Sequence, residues 1–179
     1  MTLSALGGYS ASTLLGAPKH APLTLSLTAH GQKVSLSKNA GESAEHLMLK
    51  ALLWALLIPL HPNAQIERDL GLRYRPDVVA LGADGAPRWW GECGSVKASK
   101  LGDLACAFPD ARISVAKWGR SDLRGYAARL RTELPTLPRT RTAPFELISF
   151  PADLERFLSD DGELDVSFDD LDVVALNER

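Results

Sequence analysis

Two carboxylates and two lysines are the residues of this sequence whose types and spacing could do chemistry. Asp77 lies in Arg75-Pro76-Asp77-Val78-Val79 and Glu92 in Trp90-Gly91-Glu92-Cys93, on either side of Asp84-Gly85. An Asp-Gly pair at the centre of a turn favours a two-residue type I′ hairpin loop, which fixes strand register. Paired residues then have numbers summing to 169, so Asp77 stands opposite Glu92 on the same face of the sheet. Val78, Val79, Ala80, Leu81, Trp89, Trp90 and Cys93 make the surrounding strands apolar on both faces, the mark of a sheet covered on both sides. Trp89 and Trp90 point to opposite faces and read as core. Facing carboxylates repel by a few tenths to about 1 kcal/mol on an ordinary sheet, and desolvation raises that cost. A proton, a basic side chain or a divalent cation can compensate, and clustered carboxylate oxygens are what Mg²⁺ or Mn²⁺ prefers.

The lysines come from the following helix, expected to start with Ser95 as N-cap and to end at Phe108, before Pro109. Lys97, Lys100, Leu101, Leu104, Ala105 and Phe108 fall on one stripe, so the apolar face that seeks the sheet carries both lysines inward. Gly94, two residues beyond Glu92, leaves room for a lysine to reach over. Glu45, near the start of an almost wholly apolar helix, is a third acid. Each of these residues also has a purely structural account. Asp77 can simply open a strand after Pro76, and Glu92 can pair with Lys97 or Lys100. Glu45 can complement the helix dipole, worth about 0.3–1 kcal/mol.

The elements that must position these groups follow from periodicity. Alternation in Leu23–Thr28, resumed at Val34, predicts a half-exposed β-hairpin. A largely buried helix is expected from Ser43 to Leu57. Strands are expected at Gln65–Arg68, Arg73–Leu81, Pro87–Cys93 and Ile113–Trp118, then an amphipathic helix at Asp122–Leu134. After the proline-rich link Pro135–Pro144 come a strand at Phe145–Phe150, a short helix at Ala152–Leu158 and a strand at Leu164–Phe168. Residues 1–20 are expected to be loose or to add an edge strand.

Composition bounds the rest. A chain of 179 residues, 45% hydrophobic and 23% charged, can bury one core and is expected to be a single α/β domain over 1–179. No apolar run reaches the ~18–20 residues that span a bilayer, and no secretory signal opens the sequence, so a cytoplasmic location is expected. Cys93 and Cys106 form no zinc-binding pattern, and His20, His30, His46 and His61 are scattered. The net charge of −2 hides an asymmetry: eight basic residues against two acids from Arg112 to Arg141, then ten acids against two arginines from Asp153 onward. The basic stretch, with Lys117, Arg120 and Arg124, is a candidate nucleic-acid-facing surface, or else a partner for the acidic tail. The apolar edge hairpin could support a homodimer.

The order helix-Glu, strand-Asp after Pro, strand-Glu, helix, strand resembles the PD-(D/E)XK nuclease superfamily, with Gly91-Glu92-Cys93-Gly94 standing where Glu-x-Lys is usual. More narrowly it is similar to the YaeQ-like branch, through Gly41-Glu-Ser-Ala-Glu45-His-Leu-Met-Leu-Lys50, Glu92-Cys93-Gly94 and Lys100, and through the segment from Phe145 to Phe168. The resemblance covers most of the chain after about residue 20. It implies a restriction-endonuclease-like fold, a central mixed sheet flanked by helices, here with an extra N-terminal hairpin. It further implies a nuclease in which Asp77 and Glu92, supported by Glu45, hold Mg²⁺ or Mn²⁺. Lys100, with Lys97 as its rival, would replace the lysine missing at Gly94. A fold retained as a catalytically inactive binding or interaction module is the alternative.

Overall fold

The computed structural model describes Gly16, residues 21–134 and residues 141–177. The expectation for residues 1–20 therefore lies, Gly16 apart, outside the described residues, as does most of the link at 135–140. Strands β1 (Thr24–Ala29) and β2 (Gln32–Ser37) form a separate two-stranded antiparallel sheet. Helix α1 (Ala44–Leu57) follows, capped by the Ser43 side chain, which accepts from the His46 amide. Then come β3 (Gln65–Ile66), β4 (Val78–Leu81), β5 (Pro87–Cys93), α2 (Ala98–Ala107), β6 (Arg112–Trp118), α3 (Leu123–Glu133), β7 (Phe145–Phe150) and β8 (Asp172–Ala175).

The second sheet has six strands in the order β3-β4-β5-β6-β7-β8. Its centre is parallel, β5 to β6 to β7, and its flanks are antiparallel. Parallel neighbours need crossovers, and α2 and α3 supply them. Both helices pack on one face with Trp90, Ile113, Val115, Phe145 and Leu147. The other face, with Val78, Ala80, Trp89 and Cys93, is covered by α1 and the β1–β2 hairpin. The two tryptophans thus go to opposite cores, as adjacent strand residues must. Gly91 lets α1 come close: a Cβ there would stand 2.5 Å from Leu53 Cδ2. The leucines of the hairpin (Leu23, Leu25, Leu27, Leu36) are buried in the α1 core. No helix among the described residues is long and apolar enough to cross a membrane.

Several elements differ from expectation. β4 begins at Val78 rather than Arg73, because residues 69–77 run as an irregular segment over α2, with Tyr74 packed on that core. The alternation at Leu164–Phe168 does not make a strand of the main sheet. Leu164 and Val166 instead drop into the hairpin core, and Glu163 makes a single bridge to Thr28. The strand that joins β7 is the later Asp172–Ala175, and the short helix at Ala152–Leu158 reduces to one 3₁₀ turn at Leu154–Arg156.

The hairpin that carries Asp77 and Glu92 reaches the expected register by another route. Its loop has three residues, with Gly85 accepted by the Gly82 carbonyl and Gly82 by that of Ala86. Gly85 is left-handed (φ +77°), the position that follows a type I turn in such loops. That loop alone would shift the pairing by one. A bulge restores it: Leu81 pairs with Pro87 but Ala80 with Trp89, leaving Arg88 as the extra residue. From there Val79 pairs with Trp90 and Val78 with Gly91, so Asp77 arrives level with Glu92.

Candidate functional site

The site lies at the carboxyl end of β5, where α1, α2 and the β4 lead-in converge, and each carboxylate there has its own basic partner. Glu92 shares the Trp90 face of β5 and is buried, 3% exposed. Its Oε1 accepts from Trp90 Nε1 at 2.8 Å and its Oε2 from Lys100 Nζ at 2.6 Å. Burial pushes the Glu92 carboxyl above its ordinary range. The charge of Asp77 adds to the rise, and Lys100 and Trp90 only partly oppose it. Asp77 lies on a bend just outside the ladder, so its carboxylate turns across the end of β5. Oδ2 accepts from the Cys93 amide at 2.7 Å, and Oδ1 lies 3.4 Å from His46 Nε2. Burial would raise its pKa too, but His46, the Cys93 amide and Lys50 outweigh it and hold Asp77 below the usual range. Two neighbouring carboxyls are thereby pushed in opposite directions, the asymmetry that acid–base sites exploit.

Lys100, one turn into α2, points along the buried stripe of Leu101, Leu104 and Ala105. Lys97 does not share that stripe. The helix starts at Ala98, not Ser95, and Lys97 is its extended N-cap residue, exposed to solvent. Glu45 also stays outside: it is exposed on α1 and makes no hydrogen bond or ion pair among the described residues. The acid that does reach the site is Glu42, three residues earlier. Its Oε1 lies 3.6 Å from His46 Nε2 and is ion-paired with Lys50 Nζ, and its Oε2 accepts from the Asn39 amide at 2.8 Å.

Four residues of this cluster escaped sequence reasoning. Glu42, His46 and Lys50 recur every fourth position, His46 and Lys50 on one stripe of α1 and Glu42 just ahead of its N-cap Ser43, and that spacing was the available signal. Lys50 is 1% exposed within an otherwise apolar helix. Burial alone would depress its pKa, but Glu42 and Glu67 reverse the effect and raise it. Glu67, 2.6 Å from Lys50 Nζ, adopts φ +50° and is held by the Asn39 amide group and by Arg75 on its carbonyl. No local pattern foretells such a residue. His46 also explains Gly94. That glycine is left-handed (φ +71°), and a Cβ on it would stand 3.4 Å from His46 Nδ1. The space beside Gly94 thus holds an imidazole, while Lys100 approaches Glu92 from the opposite face. Asn39, Glu42, Ser43, His46, Lys50 and Glu67 line an open polar depression of about 570 Å³ next to Asp77.

On the far side of β5, Lys117 at the end of β6 donates to the Gly94 carbonyl. Its Nζ lies 4.7 Å from the Tyr126 ring centroid, and Arg120 Cζ lies 4.2 Å from the same ring. Arg124 is exposed on α3.

The donor chemistry suits a hard divalent cation: Asp77, Glu92 and Glu42 offer carboxylate oxygens, and Glu42 Oε1 is already met by Lys50 Nζ. The arrangement is less complete. Among the described residues no group of three or more His, Cys, Asp or Glu is placed to hold a metal ion, and Glu92 already spends both oxygens on Trp90 and Lys100.

These features define a mixed α/β fold with helices on both faces of its main sheet and a polar cluster at one sheet end. No family model and no curated protein matches the sequence. Among solved structures the fold is that of the YaeQ protein from Pseudomonas syringae, with a TM-score of 0.58 over 91% of this chain and 99% of that one, at 16% identity. The YaeQ protein from Xanthomonas axonopodis pv. citri aligns over 86% of this chain and 89% of its own, at 18% identity and a TM-score of 0.48.

Proposed function

We propose that this chain is a divalent-metal-dependent nuclease of the restriction-endonuclease-like type that its residue order resembles. One observation carries the reading: Lys100 Nζ stands 2.6 Å from Glu92 Oε2, with Asp77 level with Glu92 on the paired strand. An acid pair with a lysine supplied from the next helix is the constellation the resemblance implies, with Gly94 in place of the strand lysine. Asp77 and Glu92 would hold Mg²⁺ or Mn²⁺, with Glu42 rather than Glu45 in support. The ion would polarise the scissile phosphate and acidify the attacking water. Lys100, freed from Glu92, would stabilise the charge that develops on the phosphate. His46 orients Asp77, the Cys93 amide fixes its other oxygen, and the apolar walls of Trp90 and Leu101 keep bulk water from Glu92. Lys117, Arg120 and Arg124 would meet the nucleic-acid backbone.

A second reading has its own support. Glu42, Asp77 and Glu92 are each already matched by Lys50, His46 and Lys100. That is how a fold used as a catalytically inactive interaction module would neutralise inherited acids. Calorimetric titration of Mn²⁺ into wild type and Asp77→Asn, followed by cleavage assays on labelled oligonucleotides, separates the two. Saturable heat that the variant loses, with cleavage lost in parallel, is the expected result. A folded protein that takes up no metal at millimolar concentration ends the nuclease reading and leaves the interaction module.

A further inference from the structure

The end of β5 is approached by two tyrosine rings, each faced by two cations. Tyr74, on the lead-in to β4, has Arg73 Cζ at 4.9 Å and Lys100 Nζ at 5.5 Å from its ring centroid. Tyr126, on α3, has Lys117 and Arg120. In each set the lysine reaches β5, Lys100 at the Glu92 carboxylate and Lys117 at the Gly94 carbonyl. In each set the arginine is the outer cation: Arg73 is 77% exposed, and Arg120 is part-exposed. The first ring is held: Tyr74 donates its hydroxyl to Asp103 at 2.7 Å, and Arg73 reaches the same oxygen at 3.0 Å. In the second set the Arg120 backbone amide donates a hydrogen bond to Ser149 Oγ.

We infer that the ligand of this site is a single-stranded nucleic acid, gripped by these two tyrosine–arginine platforms on either side of the Glu92–Gly94 strand end. A guanidinium backed by a tyrosine ring is flat, cationic and weakly hydrated. Its outer face can stack a base while its edge bonds a phosphate. Only an unpaired strand offers base faces and phosphates together. A duplex hides its base faces and is held through many phosphate contacts. The chain is poorly equipped for those: its net charge is −2, and Asp122 already engages Arg129. The inference deepens the nuclease reading by naming its substrate class, but binding does not require cleavage, so the two can fail separately.

Fluorescence anisotropy in EDTA tests it, with labelled oligothymidylate and oligouridylate of about 16 nucleotides and a mixed-sequence duplex of equal length. Wild type should bind at least one of the two single strands about tenfold more tightly than the duplex. Arg73→Ala/Arg120→Ala should weaken that binding about tenfold, and Tyr126→Phe, which keeps the ring, should retain it. Duplex binding as tight as either strand, unchanged binding in the double-arginine variant, or no binding to any probe overturns the inference. Tight single-strand binding without metal uptake or cleavage would keep it and remove the nuclease reading. Duplex cleavage without single-strand binding would do the reverse.

Discussion

Lys100→Met removes the cation from Glu92 and keeps most of the aliphatic stem, so it isolates the ion pair from the packing around it. The Glu92 side chain is 4% exposed and would retain only the Trp90 indole as a partner, whereas the lysine side chain is 24% exposed. Removing one partner of a fully buried pair costs about 3–5 kcal/mol. Water can enter where the half-open lysine stood, so a cost of about 2–3 kcal/mol is expected at pH 8. The carboxyl can also escape by taking a proton. Its folded pKa, already raised by burial, would rise further, and a group with a raised folded pKa contributes most at low pH. Stability is then lost as pH climbs from the unfolded value of about 4.3 through the folded one. The deficit against wild type should therefore be small at pH 5 and full at pH 8. Urea unfolding at both pH values measures it, and about 5–10 °C of melting temperature should follow at pH 8 for a chain of this size. Glu92→Gln/Lys100→Met should recover most of the loss, since no charge is then left buried. A single-variant deficit under about 0.5 kcal/mol at both pH values, or no rescue by the double variant, refutes the argument that Lys100 compensates Glu92.

Gly91→Ala should destabilise by about 1–3 kcal/mol, because its Cβ would meet Leu53 Cδ2 at 2.5 Å and the Val78 carbonyl at 3.3 Å. Adding Leu53→Val should cost less than the sum of the two changes in a denaturation cycle. Arg141→Lys should cost about 2–3 kcal/mol in urea melts, because the guanidinium bonds the carbonyls of Ala105, Phe108, Ala111 and Pro144 and an ammonium reaches fewer of them. His61 lies edge-on to Trp89, ring centroids 5.7 Å apart, and burial, then the charge of Arg112, holds its pKa below the usual value. Its contribution is present above pH ~6.5 and is lost as pH falls through the lower folded value. Wild type should thus lose urea midpoint between pH 7 and pH 5.5, and His61→Gln should flatten that interval.

Much of this fold could be read from alternation and caps. β5 and β7 fall on their expected residues, and Ser43 and Asp122 cap α1 and α3. What escaped was set by tertiary contact. The expected strand opened at Arg73, but Tyr74 finds the α2 core and Arg75 the Glu67 carbonyl, so the backbone joins the ladder only at Val78. Leu164 and Val166 alternate like a strand and are buried against the hairpin instead, whereas β8, with four residues after an acidic run, carries almost no periodic signal. In the site, strand register brings Asp77 level with Glu92 and helix phase brings Lys100 to Glu92, while the Asp77 carboxylate turns to His46 and the Cys93 amide. Glu45 stands on the exposed side of α1, whereas the four-residue spacing shared with His46 and Lys50 leads back to Glu42, ahead of the cap.

The β4–β5 hairpin has a consequence for insertion and deletion. Its three-residue loop and the bulge at Arg88 both lie on the turn side of the first regular pair, Ala80 with Trp89. Deleting Arg88 should close the bulge with Ala80 still against Trp89, and removing one loop residue should leave Gly82 against Ala86, so neither change moves Asp77 relative to Glu92. Deleting a paired residue between Trp89 and Glu92 should instead rotate the end of β5 to the opposite core and part the pair. The tip is thus a place where the chain can gain or lose residues while the site at the other end of the strands keeps its alignment.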